Sequence, residues 1–418
     1  MDQRERRPRV RIRHHPETAA IADGFDPALS VMAARPPIYP VSTYCFHSAA
    51  EAKAYFDSAM GRGNGDTGHG LIYARLNNPN AEIFEDQLVP LEKGAMGAVS
   101  FTSGMAAITG AFLAFLRPGD VVLAPRPVYG GTEHVLHELL PPFGITAHFV
   151  PAGDTAAMER AASELGSRLA MVYVESPANP TLVMTDIAAA AVIAHRERGH
   201  RRAMVVVDNT FLGPVFQSPL IHGADLVLYS ATKYIGGHSD LVAGVALASD
   251  PELLVALRGV RTFFGTICEP FTAWLLTRSL ATIYTRTIKQ SKNASRIVEH
   301  LSGHPKLLRL HYPTLIEGEQ RRIYKSQCTA PGGMLALELR GGRDAAFRFL
   351  DALRIPKLAV SLGGVESLAT HPRTTTSSEM SADELDRSGI TEGMVRYSVG
   401  VEYWRDLVRD IESALEQA

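Results

Sequence analysis

Residues 203–233 read AMVVVDNTFLGPVFQSPLIHGADLVLYSATK. Two short apolar runs stand out, Val205-Val206-Val207 and Leu226-Val227-Leu228-Tyr229. The first stops at Asp208 and the second runs into Ser230-Ala231-Thr232-Lys233. Neither alternates apolar with polar residues, which is the pattern of a strand covered on both faces. The same texture recurs on either side, so strands are expected at 97–101, 121–124, 146–150, 170–174, 203–207, 225–229 and 244–248. Helix-length segments lie between them, including 155–166 and 186–198, the latter opening on Asp186 as an N-cap. Repeated strand-helix-strand units predict an α/β fold with a mostly parallel seven-stranded sheet, and ligands then belong at the carboxyl ends of its strands.

Beyond Pro270 the texture changes. A long helical pattern over 271–301 leads into strands expected at 307–312, 333–339, 357–360 and 395–399, with helices over 344–353 and from about 400 to 417. This reads as a smaller C-terminal α+β domain. The first seventy-odd residues carry Pro36-Pro37, Pro40 and Gly61-Arg62-Gly63-Asn64-Gly65 with little core periodicity, and read as an arm. The expected division is an N-terminal arm over 1–76, a large domain over 77–270 and a small domain over 271–418.

Composition narrows the class. In 418 residues, 46% are hydrophobic and 21% charged, and 42 Lys plus Arg nearly balance 44 Asp plus Glu. No global field attracts nucleic acid or an anionic membrane. Arg4, Arg6, Arg7, Arg9, Arg11 and Arg13 form a basic start, but Asp2 and Glu5 interrupt it and no apolar run follows, so a frayed terminus is expected. The uncharged stretch 95–116 is long enough to span a membrane, yet Ser100, Thr102, Ser103, Gly104 and Thr109 divide it into a buried strand, a turn and a buried helix. Cys45, Cys268 and Cys328 stand far apart, which argues against a disulfide framework or zinc site and for a reducing, cytoplasmic setting. No metal is expected.

Four elements carry chemistry. Lys233 follows a buried strand, where a charged amine is costly to desolvate, so it should have a depressed pKa or a covalent partner; Ser230 and Thr232 beside it can hold a phosphate. Asp208 ends the neighbouring strand, where an acid can pair with a protonated heterocyclic nitrogen. Phe101-Thr102-Ser103-Gly104-Met105 is a strand-to-helix turn that aims backbone N–H groups at an anion. Tyr129, before Gly130-Gly131-Thr132, can stack on a planar cofactor and move protons. Taken singly, Lys233 is an ordinary strand-end lysine, Asp208 a cap, the turn simple packing and Tyr129 a loop aromatic. Their joint order, each at a strand end, favours an aldehyde-cofactor site.

These motifs resemble the pyridoxal-phosphate enzymes of the transsulfuration group, which includes cystathionine γ-synthase, methionine γ-lyase and O-acylhomoserine sulfhydrylase. The resemblance runs from about Pro36 to the C-terminus. Besides the four elements it rests on Tyr73-Ala74-Arg75 with Asn78-Pro79, Glu175-Ser176-Pro177-Ala178-Asn179-Pro180, Ser361-Leu362-Gly363-Gly364-Val365-Glu366-Ser367 and Arg396-Tyr397-Ser398-Val399-Gly400. It implies a PLP-dependent transferase of fold type I and a homo-oligomer, a tetramer built from two tight dimers. It implies Lys233 as the Schiff-base lysine, Asp208 on the pyridine nitrogen, Tyr129 stacked on the ring and Asn179 near its phenolic oxygen. Ser103, Gly104, Met105, Ser230 and Thr232 would hold the phosphate, joined by Tyr73 and Arg75 of a neighbouring subunit. Arg396 would clamp the substrate carboxylate, with Ser361 helping to orient Lys233 or that carboxylate.

The chain also departs from that pattern. Val360 and His134 stand where cystathionine-handling members tend to carry an acid and an arginine, which disfavours cystathionine. Gly131 stands where many methionine γ-lyases carry cysteine, and Leu76-Asn77-Asn78-Pro79-Asn80 replaces the family's ending. Ser377 and Arg261-Thr262 also differ, and together they imply an unusual substrate pocket, with 50–70 shaping its entrance. The expectation is chemistry at Cγ of an amino-acid substrate, leaning to γ-replacement on an O-acylhomoserine, with methionine γ-lyase-like elimination as the alternative and a non-catalytic scaffold as a remote one.

Overall fold

The computed structural model describes residues 14–59, 70–199 and 202–418. The basic start and most of the glycine-rich 61–65 stretch's surroundings, residues 60–69, lie outside the described residues. Seven strands form the large sheet: β1 (Gly97–Phe101), β2 (Val121–Arg126), β3 (Thr146–Pro151), β4 (Leu169–Glu175), β5 (Met204–Asp208), β6 (Leu226–Tyr229) and β7 (Gly244–Ala248). Their order is β1-β7-β6-β5-β4-β2-β3, with β7 antiparallel to both neighbours and β2 to β6 all parallel.

Alternate residues of each central strand enter different cores. Val172, Val174, Val205 and Val207 join the helices on one face, while Met171, Tyr173 and Val206 join those on the other. This is why the strands read as unbroken apolar runs. The uncharged stretch 95–116 divides as expected into β1 and the helix Gly104–Phe115, capped by Ser103. Among the described residues no helix is long and apolar enough to cross a membrane.

The small domain is built on a second sheet of β8 (Leu307–His311), β9 (Met334–Leu339), β10 (Lys357–Leu358), β11 (Leu368–Thr370) and β12 (Met394–Ser398), in the order β10-β11-β12-β9-β8. Its core takes in the helices Gly342–Ala352 and Trp404–Gln417. The expected long helix over 271–301 is two helices, Pro270–Leu280 and Ile283–Leu301, because Thr282 leaves the helical region (φ -117°, ψ 7°). Ala273, Leu276, Leu280 and Ile283 pack with the large sheet, and Ala294, Ile297, Val298 and Leu301 with the small one, so the large-domain core extends past the expected boundary at 270. The arm is tied to its own chain: the Gln87 amide donates to Ala20 O (2.5 Å), the Trp274 indole to Pro36 O (3.0 Å) and Tyr39 N–H to Asn80 Oδ1 (2.7 Å).

A buried acid sits behind the sheet. The Tyr229 hydroxyl donates to Glu92 Oε2 (2.5 Å) and accepts from the Asn209 amide (2.9 Å), joining the ends of β5 and β6. Burial pushes the Glu92 carboxyl up to about 8. A carboxyl raised on folding stabilises fully below its unfolded value and loses that contribution as pH rises through the folded one. Thermal stability should therefore fall between about pH 5 and about pH 9, and Glu92→Gln should flatten that decline, raising Tm by a few degrees at the alkaline end only. Calorimetry of both proteins across that range checks it; parallel curves would refute the account.

Candidate active site

The strand-end residues meet where the two domains face each other. Lys233 lies in the turn after β6, and its Nζ donates to Ser361 Oγ of the small domain (2.9 Å). The two backbones are in close contact: Gly363 has φ +77°, and a Cβ there would lie 2.8 Å from Tyr234 N and 3.1 Å from the Lys233 carbonyl carbon. Arg396, on β12, is 3% exposed, and its partners are all neutral: Asn179 Oδ1 (3.2 Å), Val360 O (2.7 Å) and Ser361 O (3.2 Å). Burial lowers the Lys233 amine to about 8, with the Arg396 charge adding to it, and lowers Arg396 to about 10. A half-buried amine and a buried guanidinium thus face one cleft without a carboxylate of this chain paired to Arg396 among the described residues. That arrangement suits an incoming anion.

Acids stand on the other side. Asp208 ends β5 and accepts from Thr210 N–H (2.9 Å); its register partner at the end of β4 is Glu175. Burial raises both carboxyls. β4 and β2 are adjacent, but the chain reverses direction of strand addition between them, so the crevice at their carboxyl ends is a topological switch point. Tyr129 hangs over it, half-exposed, as the residue before the short helix Gly130–His134. Arg126, at the end of β2, clasps Glu133 of that helix (2.5 Å) and Glu384 of the small domain (3.2 Å) while covering the Phe149 ring at 4.0 Å. Gly130 lets the Thr376 carbonyl of the small domain approach; a Cβ would lie 2.7 Å from it.

The turn over 102–105 lies beside Ser230: a Cβ on Gly104 would be 2.8 Å from Ser230 Cβ and 2.9 Å from its Oγ. The helix N-terminus at Gly104 and Met105 and the Ser230 hydroxyl therefore bound one small space, the cradle expected for a phosphate. Ser103 Oγ accepts from Ala106 N–H as the cap, and the Thr232 hydroxyl is bonded to the Ala243 backbone in both directions (3.1 and 3.0 Å). These two residues border the cradle with their hydroxyls already engaged.

Other expected residues lie apart. Arg75 donates to Thr262 O (2.9 Å) beneath the Tyr73 ring, and among the described residues neither side chain bonds to the Lys233 group. His134 faces Glu379 at the surface (3.6 Å), and the Val360 side chain is exposed while its carbonyl holds Arg396. Arg261 is a buried structural ion: it pairs with Glu85 (2.8 Å) and reaches Ser100 O and Leu76 O, so it joins β1, the helix Pro79–Leu88 and the end of the arm. Ser377 is buried, its N–H bonded to Pro372 O.

Sequence reasoning missed a polar stripe on the helix Ile283–Leu301. Arg286 donates to Tyr234 O (2.9 Å), Gln290 to Gly364 O (2.7 Å) and Asn293 to Gly400 O (3.0 Å), so one helix face pins the loops after Lys233, Ser361 and Arg396. Their i, i+4, i+7 spacing was available, but such residues read equally as a solvated face.

The family model for Cys/Met metabolism PLP-dependent enzymes matches residues 17–416. The chain is 39% identical over 400 residues to L-methionine gamma-lyase of Pseudomonas putida, covering 96% of each chain. It is 38% identical over 401 residues to cystathionine gamma-synthase of Escherichia coli, covering 96% of this chain and 98% of that one. The solved structure of cystathionine gamma synthase from Xanthomonas oryzae pv. oryzae in complex with cystathionine superposes with a TM-score of 0.87 at 34% identity, covering 97% of this chain and 98% of that one. The chain belongs to the Cys/Met metabolism PLP-dependent enzymes, and pyridoxal phosphate is its cofactor. The residues fit the group: a low-pKa amine, an acid at a neighbouring strand end and a cradle that a Cβ on Gly104 would fill.

Two outcomes follow from this geometry. Uptake of pyridoxal phosphate by the apoprotein should rise with pH with a midpoint near 8, where half of the Lys233 amine is neutral, and stopped-flow absorbance would show it; a midpoint only in the ordinary lysine range would contradict the burial argument. Gly104→Ala should weaken the cofactor's dissociation constant by about tenfold or more, since phosphate contacts at a helix N-terminus need that close approach.

Proposed function

We propose that this pyridoxal-phosphate enzyme acts at Cγ of a homoserine-derived amino acid, replacing an O-acyl group by a thiol or related nucleophile. The observation that carries the amino-acid part is Arg396, a buried guanidinium with only neutral partners, one hydrogen bond from the residues that touch Lys233. Its remaining N–H groups take the α-carboxylate as a fork and present Cα to Lys233. Bound pyridoxal phosphate supplies the aldehyde that takes the substrate amine and the protonated ring that absorbs charge from Cα.

The chain's residues do the rest. Asp208 would keep the ring nitrogen protonated. Lys233, freed and about half neutral near pH 8, would take the proton at Cα, hand it on to the former aldehyde carbon and, neutral again, take one at Cβ, its Nζ steered by Ser361 Oγ. Tyr129 covers the ring face and protonates the departing group at Cγ. Gly104, Met105 and Ser230 hold the phosphate, bordered by Ser103 and Thr232. Tyr73 and Arg75, which turn away from their own chain's Lys233, reach the site of a neighbouring subunit, so the working unit is a homo-oligomer. Phe263 and Phe264, 80% and 65% exposed beside Arg75's partner Thr262, support such a contact.

The lean to replacement rests on Gly131, Val360 and His134. A Cβ on Gly131 would lie 2.8 Å from the Tyr129 ring and 3.0 Å from Met105 Sδ, so a cysteine at this position, as in many γ-lyases, would have to displace the Tyr129 ring or Met105. With His134 drawn to Glu379 and Val360 apolar, no charged pair awaits a second amino-acid end. Elimination is the second reading, favoured by the 39% identity to L-methionine gamma-lyase.

Incubation with O-acetyl- or O-succinylhomoserine plus a thiol should give the thioether, identified by mass spectrometry. Release of 2-oxobutyrate and ammonia alone, or of methanethiol from methionine without added nucleophile, would move the assignment to elimination. Lys233→Ala should lose the lysine-linked absorbance and turnover together. Arg396→Ala should raise KM by about a hundredfold, the equivalent of about 2.7 kcal/mol for a charge-assisted fork.

A further inference from the structure

The mechanism above leaves one fully buried acid at the switch point unused. Glu175 closes β4, is 7% exposed, and lies in register beside Asp208. Its carboxyl does not face the cleft. Both oxygens accept from the backbone N–H of Tyr129, each at 2.9 Å, and Oε1 also lies 3.3 Å from the Tyr173 hydroxyl of its own strand. The groups facing it are Tyr129 N–H from the loop after β2, Tyr173, Asp208 from β5 and Glu133 from the helix Gly130–His134.

Resting on the reading of Tyr129 given above, we propose that Glu175 is the positioning residue for Tyr129, gripping its backbone across the switch point. Three features carry this. The contact bridges the two strands between which the chain reverses, so it sets the height at which the Tyr129 ring covers the cleft. Tyr129 precedes a helix whose first residues, Gly130 and Gly131, have no side chains to lock it. And both Glu175 oxygens meet the same N–H while the Tyr173 hydroxyl of its own strand donates to Oε1, so the carboxyl is fixed from two sides; burial and the Asp208 charge push that carboxyl up.

The test is a double-mutant cycle on the holoenzyme. Tyr129→Phe should slow turnover. Glu175→Ala should slow it by about tenfold to a hundredfold, the cost of a displacement near 1 Å, and should alter the visible circular dichroism of the bound cofactor. In the Tyr129→Phe background the loss from Glu175→Ala should largely vanish, because the hydroxyl it aims is gone. Glu175→Gln, which keeps a side-chain oxygen at the same reach to accept from the Tyr129 N–H, should restore most of the rate and the dichroism. If Glu175→Ala does not fold, Glu175→Asp, one methylene shorter, replaces it. Full multiplication of the two losses, or a Gln variant as slow as the Ala variant, overturns the inference alone. Unchanged turnover in Tyr129→Phe overturns the role of Tyr129 and this inference together.

Discussion

The structure depends on the desolvation of two cations. Lys233 and Arg396 are brought close enough for the charge of one to depress the other, inside a site whose walls give Arg396 only carbonyl and amide oxygens. In water that arrangement would be unremarkable; at low effective dielectric it lowers the lysine to about 8 and leaves the arginine short of a counter-charge. Both deficits are met by the same kind of molecule, an amino acid carrying a carboxylate and joined through an aldehyde. The acids Asp208 and Glu175 stand behind the sheet ends, not beside the cations, so the charges stay separated until something bridges them.

Keeping that separation requires rigid loops. The helix Ile283–Leu301 crosses from one core to the other and holds three loop carbonyls with Arg286, Gln290 and Asn293. Arg286 lies so close that a Cβ on Gly237 would be 1.8 Å from its Nη1. The same arginine accounts for the break in the expected long helix: its Nη2 donates to Ser279 O (3.1 Å) and its Nε to Thr282 Oγ1 (3.1 Å), so the chain turns about this side chain at Ala281 and Thr282. The clasp of Arg126 on Glu133 and Glu384 does the corresponding work at the other edge, tying the small domain to the helix after Tyr129.

Legibility followed physical locality. Strands buried on both faces announce themselves because every residue must be apolar, and all seven of the large sheet were readable with small shifts at their ends. β11, three residues long, and the helix Gly318–Gln327 left no comparable signal. Lys233, Asp208, Gly104 and Tyr129 were readable because each follows a strand end. Arg261 misled for the converse reason: an arginine in an apolar helix pattern can face a pocket or a buried glutamate, and only the fold brought Glu85 within 2.8 Å of it.

The sequence by itself therefore determined the α/β architecture, the seven strands and the set of chemistry-bearing turns, since burial periodicity and strand-end punctuation act over a few residues. Tertiary structure alone decided which residues became neighbours across large separations: Ser361 on Lys233, Asn179 on Arg396, Glu175 under Tyr129. It also decided which carboxyls burial raises and which amine it lowers. Those outcomes depend on burial and on charges a few ångströms away, and no local pattern of residues encodes either.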